Sequence, residues 1–71
     1  MYIVTITDPN NNVETLYKGD DFAEALTTFR NIDYRDFSER YWDSRNLRAE
    51  IVSLDETGEM LNIASITVDP R

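Results

Sequence analysis

Residues 20–41 read DDFAEALTTFRNIDYRDFSERY, and how far they run as one helix decides the fold. Phe22, Leu26 and Phe29 recur at i, i+4 and i+7 with Ala25 beside them, while Glu24, Thr27, Thr28 and Arg30 fall elsewhere, so one helix face is apolar. Asp20 or Asp21 stands where an N-cap belongs, and with Glu24 these acids suit the positive end of the helix dipole. In an unbroken helix Asp33 would fall on the apolar stripe, a costly place for an unpaired carboxylate. A break or kink at 31–33 removes the conflict. Asp33 then caps a second segment, with Asp36 as the acid of a variant capping box and Tyr34, Phe37 and Tyr41 at i, i+3 and i+7. The spacing predicts one long bent helix or two short ones.

On either side of this segment the apolar period changes from helical to alternating. YIVTIT (2–7), the turn formers DPNNN and VETLYKG (13–19) predict a hairpin, and Gly19 ends its second strand. LRAEIVSLD (47–55), the turn ETGE with Gly58 suited to positive φ, and MLNIASITV (60–68) predict another. The order is ββαββ, or ββααββ if the helix breaks. Residues 1–71 then form a single α+β domain, a four-stranded antiparallel sheet with the helical layer on one face. Strict alternation sets Ile3, Thr5, Thr7 and Leu16 opposite Tyr2, Val4, Ile6, Val13 and Tyr17. It sets Leu61 and Ile63 opposite Met60, Ala64, Ile66 and Val68. The outer sheet face should therefore be partly apolar, a surface for dimerisation or partner binding.

The chain of 71 residues carries a formal charge of −7, no Cys and no His. A domain this small gains only marginal stability from its core, and disulfides or thiolate and imidazole metal sites are ruled out as aids, which leaves oligomerisation. An apolar fraction of 41% argues against disorder. No apolar run approaches the roughly 20 residues of a membrane span, and the start lacks a signal-peptide pattern, so a cytoplasmic protein is expected. The charge is uneven: residues 1–29 sum to −4, residues 30–48 to +1 and residues 49–70 to −5. Acidic flanks repel phosphate, so neither nucleic acid nor anionic membrane is an expected partner, and a basic protein surface, or no charged partner at all, is.

Catalytic chemistry finds little support. The usual thiol nucleophile and imidazole base are missing, no nucleophile motif surrounds Ser38, Ser44, Ser53 or Ser65, and the only glycines, Gly19 and Gly58, cannot form a phosphate loop. Asp8, Asn10, Asn12 and Glu14 imitate the opening of a calcium loop, but Val13 stands where its glycine is needed and Gly19 where its bidentate Glu belongs. Asp55, Glu56 and Glu59 read as an acidic solvated turn. The expectation is a non-enzyme without cofactor or metal.

The densest functional signal is YRDFSERYWDSR (34–45), with its aromatic residues and arginines. Tyr34, Phe37 and Tyr41 fit the helical stripe and read as core, with Asp36 and Arg40 paired on the solvent side. Trp42, either sealing the end of the sheet or exposed with Arg45, has the composition of a protein–protein anchor. Base stacking is disfavoured by the acids in the same segment. No family motif is present, but the profile of a very short, acidic, His-free and Cys-free α+β chain resembles that of phage-encoded inhibitors, among them anti-CRISPR and anti-restriction proteins that imitate DNA charge. The resemblance implies an inhibitor acting in the host cytoplasm. It would block a basic, nucleic-acid-binding surface of a larger protein with Asp20, Asp21, Glu24, Asp55, Glu56 and Glu59, anchored by Trp42 and Arg45. The alternative is a homo-oligomeric structural or regulatory module that dimerises through the outer sheet face or an edge strand.

Overall fold

The helical segment breaks where Asp33 demands it. In a computed structural model that describes residues 1–40 and 46–69, strands β1 (Tyr2–Thr7) and β2 (Val13–Gly19) precede helices α1 (Phe22–Arg30) and α2 (Tyr34–Arg40). Strands β3 (Leu47–Leu54) and β4 (Met60–Val68) follow. Asp21 is the N-cap of α1: its carboxylate accepts from the backbone N–H groups of Ala23 at 2.9 Å and Glu24 at 3.2 Å. Asn31 closes that helix by donating its N–H to the carbonyls of Thr27 and Thr28. Asp33 Oδ1 accepts from Asp36 N at 3.0 Å and starts α2. The capping box is not reciprocal, because the Asp36 carboxylate accepts from Arg40 Nε at 3.1 Å instead.

The strands form one antiparallel sheet in the order β2-β1-β3-β4, which with the two helices makes an α+β fold. The turns follow their chemistry. Buried Asp8 accepts from the N–H groups of Asn10 and Asn12 and from Asn12 Nδ2 in the first hairpin loop, where Asn11 adopts φ 64°. Gly58 takes φ 84° in the second.

Val4, Ala25 and Ile51 form one fully buried cluster, joined by Tyr2, Leu16, Tyr17, Phe29, Ile32 and Ala64. Ile6, Phe37 and Leu47 form another, joined by Leu16, Ile32 and Tyr34. The inward face of α1 thus runs through Ala25 and Phe29 towards Ile32 and does not centre on Leu26, which is half-buried. Phe22 lies 41% exposed at the helix start with its ring 5.1 Å from that of Tyr2.

Two bulges overturn strict alternation. In β2 the register slips between Val4 and Thr5 of its partner, so Leu16 joins Tyr17 on the core side and Val13 turns out to 57% exposure. In β4 the slip falls opposite Ile51 and Val52, with Ile63 as the extra residue. Leu61 then pairs with Ser53 and shares the helix side of the sheet with Ala64, Ile66 and Val68. The expected separation of Leu61 from Ala64, Ile66 and Val68 is therefore wrong. Ile3, Val52, Leu54 and Met60 make an apolar island on the outer face, set among Thr5, Thr7, Thr15, Ser65, Thr67 and the 2.7 Å ion pair of Arg48 with Glu50.

Candidate functional site

The sheet topology gathers acids that are far apart in sequence. Tyr2 pairs with Gly19 on one side and Ser53 on the other, so the end of β2, the entry to α1 and the β3–β4 turn share one end of the sheet. Met1 ties them together. Its amine donates to the Leu54 carbonyl at 3.1 Å and lies 3.5 Å from Asp20 Oδ1, while Leu54 N donates to the Met1 carbonyl at 2.7 Å. Asp20, Asp21 and Glu24 therefore stand at the same end as Asp55, Glu56 and Glu59.

These carboxylates do not share one role. Asp21 holds the helix cap, and the Tyr17 hydroxyl braces it by accepting from Asp21 N at 3.2 Å and donating to Glu24 Oε2 at 3.4 Å. Asp55 Oδ1 accepts from Thr57 N, Thr57 Oγ1 and Glu59 N at 2.9, 2.7 and 2.9 Å. The Thr57 hydroxyl, with the backbone donors of Glu59 and Thr57, holds the Asp55 carboxyl below the usual carboxylate range. Asp20, Glu24, Glu56 and Glu59 are exposed, Asp20 beside the Met1 amine and Glu24 accepting from the Tyr17 hydroxyl. The Asp20 side chain is 89% exposed. Trp42 and Arg45, the expected anchors, lie outside the described residues, as does Tyr41.

Toward the opposite end, a cleft of about 480 Å³ opens between the first hairpin and the two helices, floored by Ile6, Leu16, Ile32 and Phe37. Arg40 dominates its rim. Its two terminal nitrogens donate to Glu14 Oε1 and Oε2 at 2.7 and 2.6 Å, its Nε donates to Asp36, and its guanidinium carbon stands 5.7 Å over the Phe37 ring. The hydrogen bond from Arg40 lowers the Glu14 pKa, and the same contact raises that of Arg40. Burial raises Tyr34 and, as the largest cause, Tyr17. Each of these shifts leads away from neutrality.

No group of three or more acids among the described residues is placed to hold a metal ion, and no described helix is long and apolar enough to cross a membrane. The Glu14–Arg40 pair escapes a reading of the sequence because no local spacing links residues 26 apart, and the bracing Tyr17 escapes it because its hydroxyl crosses from a strand to the helix that follows. Compared with family models, with curated proteins and with solved structures, the chain matches none.

Proposed function

We propose that this protein is a non-enzymatic, protein-binding inhibitor that presents its acidic end to a basic, nucleic-acid-binding surface of a larger protein. The observation that carries the reading is the convergence of Asp20, Glu24, Glu56 and Glu59 on one end of the sheet, through the pairing of Tyr2 with both Gly19 and Ser53. Asp21 and Asp55 fix the backbone that displays them. Carboxylates displayed from a hydrogen-bonded backbone imitate a run of phosphates more closely than a flexible acidic tail does, because less backbone ordering entropy is lost on binding. Complementary charge speeds encounter, from about 10⁵–10⁶ M⁻¹s⁻¹ for neutral surfaces toward 10⁸–10⁹ at low salt.

The test is capture of host-cell protein at low and high salt by the wild-type chain and by a variant with Asp20, Glu24, Glu56 and Glu59 all changed to Lys. Asp21 and Asp55 are left intact because reversing them would disturb a helix cap and a turn. The expected partner binds nucleic acid, is captured by the wild type alone, is released by salt, and is displaced by DNA in competition. Binding that ignores ionic strength, or that survives the four reversals, overturns the reading.

A further inference from the structure

We infer that two copies of this chain pair through β4, antiparallel and centred on Ile66, joining their sheets into one. Independently of the acidic end, β4 is an unprotected edge among the described residues. There its one sheet neighbour is β3, so along its other side a row of backbone N–H and C=O groups has no described strand to bond. Proteins blunt such edges with charge, Pro, bulges or a covering element. Over the nine residues of β4 there is no charged residue and no Pro, and its bulge at Ile63 leaves Ala64–Val68 regular. Among the described residues, α1 packs on β1, β2 and β3. Leu61 and Ile66 on the same side stay 67% and 47% exposed. The other edge, β2, carries Glu14 and Lys18 and is kinked at mid-strand by its own bulge.

The occupant that fits is a second copy. An antiparallel register about Ile66 sets Ile66 against Ile66 of the partner copy, Ala64 against Val68, and Ser65 against Thr67. The Ile66 pair, flanked on each side by Ala64 against Val68, thus meets on the helix side, and Ser65–Thr67 hydroxyl pairs, a combination that stabilises cross-strand contacts, meet on the outer side. A basic peptide has no carboxylate to recognise along β4, whereas a chain of charge −7 can approach its own copy only along an uncharged seam. Antiparallel pairing also helps at long range. The acidic end lies beside Met60, so the two copies carry their acidic ends to opposite ends of the joined sheet. A seam of one strand belongs with small, reversible interfaces, under about 1,200 Å² in total.

Sedimentation across micromolar to millimolar concentrations tests this. The wild-type mass should rise from one chain to two. Ile66→Lys and Ile66→Glu should each stay at one chain, since the axis sets like charges against each other. Their equimolar mixture should recover the dimer. Ile66 is exposed, so both variants fold, which circular dichroism checks. A wild-type mass of one chain throughout, variants that dimerise as the wild type does, or growth beyond two chains overturns the pairing. None of these outcomes bears on the acidic-end reading, whose test is binding to a different protein.

Discussion

Asp55 spends one carboxylate oxygen on three donors, and this sets its response to acid. Because the Thr57 hydroxyl and the Glu59 and Thr57 amides bond the ionised form, its folded pKa lies below the ordinary 3.8. The stability it contributes is full above that unfolded value and is lost as pH falls through the lower folded one. A carboxyl titration followed by NMR should therefore place its midpoint below 3.8, and Thr57→Val should move the midpoint upward while the backbone donors keep part of the shift. A midpoint unchanged in Thr57→Val would remove the hydroxyl as the leading cause. Asp55 thus stays charged at the acidic end under all ordinary conditions, but its bonded oxygen is not open to a partner.

At the scale of the element, neighbouring acids part company. Asp21→Ala removes both side-chain bonds of the α1 cap and should cost about 1 kcal/mol in urea unfolding, whereas Asp20→Ala, at an exposed site, should stay within about 0.5 kcal/mol. Equal losses would mean that the cap carries no special weight. The break between α1 and α2 was legible in the sequence because one carboxylate, Asp33, conflicted with an apolar stripe. Both hairpin turns were legible from their Asn, Asp and Gly residues. The bulges were not, since one inserted residue leaves composition and apolar content unchanged while it reverses the facing of Val13 and of Leu61. The candidate site was half legible: the acids at 20–24 and 55–59 each stand out, but only the pairing of β1 with two partners unites them. No local pattern announces a contact of that range.

For the whole molecule, charge of one sign concentrated at one end is a source of self-repulsion as well as recognition. The protein extends 37 Å along its longest axis, several times the Debye length of about 8 Å at physiological ionic strength, so the acidic end acts as a local patch. Salt added from a low starting level should raise the Tm by screening that patch, and the variant with four Lys reversals should show a smaller rise. A falling Tm would mean that pairs such as Glu14–Arg40 outweigh the repulsion. The central pairing of β1 with β3 has a kinetic consequence too. Each hairpin closes a short loop, but Val4 must find Ile51 across most of the chain, and closure entropy grows by about 0.6 kcal/mol with each doubling of loop length. Contacts of that range should make folding slower than in a sheet built from neighbouring strands alone. During synthesis the inner edge of β1 stays open until β3 has left the ribosome, which gives the half-made chain an exposed strand edge that the finished fold closes.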